Sequence, residues 1–124
     1  QRCMAYRSFA DAGIPAAAGS DFSPGPFAPM MGMQGMVTRK GWNGETWGAN
    51  QRISVDEALR VLTINGAYAS HEEAIKGSIT PGKLADFVVL SNDVLSIQLA
   101  EILKTRVLLT VMGGRDTYRA TEFR

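Results

Sequence analysis

The sequence predicts a chain that is α/β in character over its front half and mostly β over its back half. Three observations predict it: a helical repeat that closes on a glycine and runs into a short apolar stretch, a capped amphipathic segment beginning at Ser54, and β-rich runs around Gly113-Gly114. Residues 2–12 place Met4, Ala5, Phe9 and Ala12 at helical spacing, and Gly13 suits the position just past a helix end. Residues 14–18 are small and apolar and close on Gly19-Ser20-Asp21, the pattern of a strand buried on both faces. Helix, glycine turn and buried strand make one step of a parallel α/β fold.

Pro24, Gly25, Pro26 and Pro29 then break regular structure, so residues 22–52 read as a long loop with room for a short helix from Pro29. Loops of that length in small domains tend to be functional. Ser54-Val55-Asp56-Glu57 is a capping box, and Val55, Ala58, Leu59, Leu62, Ala67 and Ala69 hold an apolar face behind it. One helix is expected over 54–69. Residues 76–83 are turn-rich, Phe87–Leu90 reads as a buried strand, and Leu99–Lys104 as one helical turn. Val107–Met112 and 116–119 flank Gly113-Gly114 as a hairpin, the glycine pair suiting positive φ.

The totals narrow the function. The 124 residues, 45% of them hydrophobic, suffice for one core. A net charge of +1, from 13 basic and 12 acidic residues, gives no footprint for nucleic acid or an anionic membrane surface. No apolar run approaches the ~20 residues of a membrane span. The single Cys3 excludes an internal disulfide framework and fits a reducing compartment, so a cytoplasmic protein is expected. Because Gln1 falls inside a periodic segment, the chain is expected to be part of a longer one.

Asp21 is the candidate for chemistry, since it stands where a predicted strand opens into a long loop; an Asp after Gly-Ser is equally a turn former or helix cap. The lone His71, beside Glu72 and Glu73, cannot build a zinc site, which needs three or four ligands, and reads as a surface residue at a helix C-terminus. Met30, Met31, Met33 and Met36 could bind Cu(I), but clustered methionines more commonly fill irregular packing. Phe22, Phe27, Trp42 and Trp47 could wall an apolar pocket or cover a neighbouring part of a larger molecule; both remain open. Cys3 reads as an inert thiol, and Gly32-Met33-Gln34-Gly35 matches a nucleic-acid loop only in its glycines.

Three segments in this order resemble the amidohydrolase superfamily, in the branch near N-substituted formamide deformylase. They are Ala12-Gly13-Ile14-Pro15 through Gly19-Ser20-Asp21; Ser54 to Leu59 through Thr63-Ile64-Asn65 and Ala67-Tyr68-Ala69; and Lys76-Gly77-Ser78-Ile79 with Pro81-Gly82-Lys83-Leu84-Ala85-Asp86, followed by 107–111 and Gly113-Gly114. The resemblance implies a (β/α)8 barrel with a small composite β-sandwich. Residues 1–73 would be the last portion of the barrel, and 74–124 the C-terminal part of the sandwich. It also implies a metal-dependent hydrolase of non-peptide carbon–nitrogen bonds, with a small amide-like substrate. Asp21 would bind a divalent ion (zinc first, one or two ions), take a proton from the activated water and pass it to the departing nitrogen. The family's further ligands, a His-x-His pair, a lysine or glutamate and two more histidines, have no counterpart here. The chain alone is therefore expected to be inactive and metal-free, to need the missing N-terminal part, and to self-associate through uncovered apolar faces. The rival reading is a stand-alone α+β module serving interaction or assembly.

Overall fold

A computed structural model of the protein describes residues 4–123. Its core lies between two helices and a turn. Helix α2, Pro29–Thr38, contributes Met33, Met36 and Val37, all buried. Helix α3, Val55–Leu62, contributes Ala58 and Val61, while Ile53, Val94 and Ile102 complete the cluster. Ile102 belongs to a 3₁₀ turn, Leu99–Lys104, which Gln34 of α2 ties down by accepting a hydrogen bond from the Leu103 backbone N–H at 3.1 Å. Two of the four clustered methionines thus fill the core, as flexible side chains do in irregular gaps.

Residues 22–52 are more ordered than the expected loop. Pro29 occupies the first helical turn of α2, where its missing N–H costs nothing, and Arg39 closes the helix at φ 58°. Next comes a tight turn closed by a bridge between Lys40 and Thr46, then a 3₁₀ turn at Ala49–Gln51. The glycines at 32 and 35 do not break α2 because three buried apolar contacts override their low propensity.

The helix expected over 54–69 is two helices, α3 and α4 (Ile64–Ala69). The break falls at Thr63, with φ −128° and ψ −91°. Its hydroxyl donates back to the Leu59 carbonyl at 2.6 Å, the competing bond that β-branched hydroxyl residues offer a helix backbone. The capping box forms as read: Ser54 Oγ accepts from Glu57 N–H at 3.1 Å, and Glu57 Oε2 accepts from Ser54 N–H at 2.7 Å. Helix α4 ends at His71, whose φ of 58° lets its N–H reach the Tyr68 carbonyl while Glu72 N–H reaches that of Ala67. This is the paired bonding of a left-handed helix cap. His71 is exposed there, as a surface residue at a helix end should be.

Helix α1, Tyr6–Asp11, covers the described part of the first predicted helix; Cys3 lies outside the described residues. Gly13, at φ 69°, donates to Ala10 and Ile14 donates to Phe9, so the glycine caps the helix as expected. Residues 14–18 are not a strand. They run without a ladder partner, because a strand exists only where a neighbour takes its N–H and C=O groups, and among the described residues none does.

The back half is a three-stranded antiparallel sheet in the order β1 (Phe87–Leu90), β2 (Val107–Met112) and β3 (Arg115–Arg119). Gly113 and Gly114, at φ 58° and 76°, form the predicted two-residue turn. Strand β1 is less buried than expected, with Phe87 and Val88 exposed, since no second sheet covers it among the described residues.

The segment 76–86 locks these parts together. The Lys83 ammonium donates to the carbonyls of Glu73 and Lys76 and to Ser78 Oγ, which uses all three of its hydrogens. Asp86 Oδ1 accepts from Gly113 N–H at 2.7 Å, pinning the hairpin turn to the start of β1. Gly77, at φ 87°, lies flat on α4: a Cβ there would meet Ala67 Cβ at 2.7 Å and Ile64 Cα at 3.0 Å.

Two expectations follow. Gly77→Ala should destabilise by roughly 1–3 kcal/mol through overpacking and a disfavoured φ, measured by denaturant unfolding; an unchanged midpoint would contradict the close packing. Glu57 accepts two bonds from Arg7 and one from Ser54, and these hold its pKa at about 2 against an ordinary 4.5. A depressed carboxylate stabilises fully above its unfolded value and loses that contribution as pH falls through the folded one. Melting temperature should therefore decline between pH of about 4.5 and about 2, and Glu57→Gln should flatten that decline.

Candidate active site

The segment leading to Asp21 is held at three places by side chains remote in sequence. At its root, α1 has no buried residue and, at six residues, is far shorter than a helix that could stand alone. Polar ties fix it instead. Arg7 forks onto Glu57, Nη1 to Oε2 at 3.0 Å and Nη2 to Oε1 at 2.6 Å, and also reaches Asp11 at 2.9 Å. Gln51, buried to 3% exposure, accepts from Ser8 N–H at 3.1 Å and donates to Ser8 Oγ at 3.0 Å. Midway, Asn65 of α4 donates from Nδ2 to the Ala16 carbonyl at 2.9 Å. Farther on, Ala18 packs against the core cluster. Ala16 and Ala18 are half-buried, while Pro15, Ala17 and Gly19 are exposed, so residues 15–19 keep the two-residue alternation of a strand, though Ile14 is exposed.

Asp21 follows at φ 51°, exposed, in a left-handed conformation that Asp tolerates better than most residues. Ser20 Oγ accepts from the Phe22 N–H at 3.3 Å, closing a turn around it. Gly19 and Ser20 line an open cleft of about 750 Å³, with Asp21 one residue beyond the lining. Phe27, Met31, Trp42 and Leu62 form much of its apolar wall.

Of the four aromatic residues picked out in the sequence, Phe27 and Trp42 line this cleft, and Phe22 meets Phe27 edge to face at 5.6 Å between ring centres. Trp47 lines a smaller neighbouring cleft of about 330 Å³. Trp42 is 85% exposed and Phe27 71%, so most of each ring is uncovered among the described residues. His71 lines neither cleft.

A divalent metal does not fit the donors present. Among the described residues no three of His, Cys, Asp and Glu cluster where they could hold an ion, and a zinc site takes three or four ligands. Asp21 contributes one carboxylate, and no reaction step can be routed through an ion on these residues alone. No helix among the described residues is long and apolar enough to cross a membrane. The residues missed in the sequence are Arg7, Gln51 and Asn65. Asn65 alone left a signal, as a poor helix former inside a helical pattern, where such a residue commonly bonds elsewhere.

The sequence profile of the amidohydrolase family matches residues 3–118. N-substituted formamide deformylase of Arthrobacter pascens is 35% identical over 115 residues, which are 93% of this chain and 21% of that protein, in its C-terminal part. Protein LONG AFTER FAR-RED 3 of Arabidopsis thaliana is 35% identical over 104 residues, 82% of this chain and 18% of that one. The chain thus spans about a fifth of the length of these relatives. In structure, an amidohydrolase from Thermotoga maritima MSB8 superposes with a TM-score of 0.67 at 21% identity, over 93% of this chain and 26% of that one, a likeness of fold. Matched by the family profile over almost its whole length, the chain belongs to the amidohydrolase family.

Proposed function

We propose that this chain is the C-terminal portion of a hydrolase that cleaves non-peptide, amide-like carbon–nitrogen bonds, with Asp21 as its proton-transferring carboxylate. One observation supports it above the rest: within a family match over residues 3–118, Asp21 sits in a left-handed turn at the end of a pinned, strand-like segment and beside an apolar cleft. Non-glycine residues in such conformations cluster at functional sites.

On this reading residues 1–73 are the last portion of a (β/α)8 barrel and 74–124 part of a composite β-sandwich. The unpaired, strand-like stretch 15–19 then has a reason, since barrel neighbours would take its free backbone groups. Carboxylates at the C-terminal ends of barrel strands face the active site. The Asp21 carboxylate takes a proton from the attacking water and returns it to the leaving nitrogen, so that the amine departs neutral. A divalent ion, zinc in the first instance, would be completed by ligands from the rest of the protein, with Asp21 as one of them. When bound, such an ion brings the pKa of its water from ~15.7 to roughly 7. The apolar wall of Phe27, Met31 and Trp42 supports a small, largely apolar substrate.

Asp21→Asn keeps the shape and the left-handed preference while removing the proton acceptor. In the whole protein it should lower kcat roughly 100- to 10,000-fold on an amide substrate, with the melting temperature unchanged. Turnover at the native rate would sink the assignment.

A further inference from the structure

We infer that Asn65 is a positioning residue for Asp21, acting through the backbone of the segment that carries it; the inference rests on the reading of Asp21 given above. The Asn65 amide lies 49 positions from its partner and makes a half-buried bond to the Ala16 carbonyl at 2.9 Å. A carbonyl oxygen only accepts, so the NH₂ end of the side chain must face it. Barrel neighbours would pair residues 14–18 in the whole protein, and the Asn65 bond adds a tie to Ala16 that this chain supplies itself.

The donor is itself firmly seated. Asn65 stands in the first turn of α4, just after the break at Thr63 that sets the direction of this helix apart from α3. Gly77 presses on α4 so closely that a Cβ would strike Ile64, just before Asn65, and Ala67, two residues after it. Lys83 holds the loop carrying Gly77 closed by its bonds to Glu73, Lys76 and Ser78. The ammonium-braced loop thus fixes α4, α4 fixes the Asn65 amide, and the amide fixes Ala16, five residues before Asp21. Pro15 cannot donate from its backbone and Ala17 is exposed; of the two half-buried residues, Ala16 and Ala18, it is Ala16 whose carbonyl takes the bond from Asn65. A misplacement of the carboxylate by about 1 Å costs on the order of 100-fold in rate, so a bond of this kind suits a catalytic role.

The test uses the whole protein with Asn65→Asp, Asn65→Gln and, separately, Asp21→Asn. Asn65→Asp keeps the side-chain shape but sets an acceptor against an acceptor. Backbone hydrogen exchange of residues 14–21 is read beside kcat and KM. In Asn65→Asp, exchange over 14–21 should quicken several-fold and kcat should fall roughly 10- to 100-fold with KM unchanged. Asn65→Gln, which retains the donor, should recover part of both. Unchanged exchange in Asn65→Asp overturns the inference, and so does quickened exchange with native kcat. If Asp21→Asn is inactive while Asn65→Asp is fully active, only the role of Asn65 fails. If Asp21→Asn retains native turnover, the reading of Asp21 fails with it.

Discussion

The Glu57 carboxylate is the constraint on which the front half depends. It caps α3 by accepting from Ser54 and at the same time accepts both arms of the Arg7 guanidinium, joining the first turns of two helices 50 residues apart. Bidentate guanidinium–carboxylate pairs are directional as well as attractive, and here the direction matters more than the energy. Helix α1 has no fully buried residue; only Tyr6, half-buried, packs against the core, a small hydrophobic seat for six residues. Its place comes from the Arg7 fork and from the buried Gln51 amide, and the path of the chain toward Asp21 starts from that place.

Polar ties do this work because hydrophobic burial is spent elsewhere. Met33, Met36, Val37, Ala58, Val61 and Ile102 form a core between α2, α3 and the turn at Leu99–Lys104. The segment 14–21 runs along its margin, touching it at Ala18. Small residues there keep the backbone slim, as a strand flanked by close neighbours requires, but give little surface to bury. Hydrogen bonds from Arg7, Gln51 and Asn65 therefore locate a stretch whose own side chains cannot. In the back half the same economy appears in Lys83 and Asp86, whose charges close a loop and a hairpin turn.

Much of this was legible in the sequence where the signal is local. The Ser54–Glu57 box, the Gly13 cap and the Gly113-Gly114 turn each follow from the chemistry of neighbouring residues, and the structure bears them out. The misreadings came where distant parts decide. Residues 14–18 have the composition of a buried strand, but a strand also needs partners, which composition does not supply. Helix α2 was legible as a short helix from Pro29, and its buried methionines hold it together over Pro29–Thr38 despite two glycines. The break at Thr63 came from a side-chain bond to Leu59 that an apolar periodicity does not register. The family resemblance, carried by three ordered segments, is one that the profile match over residues 3–118 bears out. The ties that hold the segment were invisible because Arg7 to Glu57, Ser8 to Gln51 and Ala16 to Asn65 each span 43 or more positions.

Under the proposed function, the pinned segment presents the Asp21 carboxylate to a reaction centre built with the rest of the protein. Anomalous diffraction from crystals of the whole protein, grown with zinc, locates that centre directly. The account predicts an Asp21 carboxylate oxygen within roughly 2.0–2.2 Å of the ion, at the mouth of the cleft lined by Gly19 and Ser20. An ion held entirely by other residues, with Asp21 turned to solvent, would contradict it.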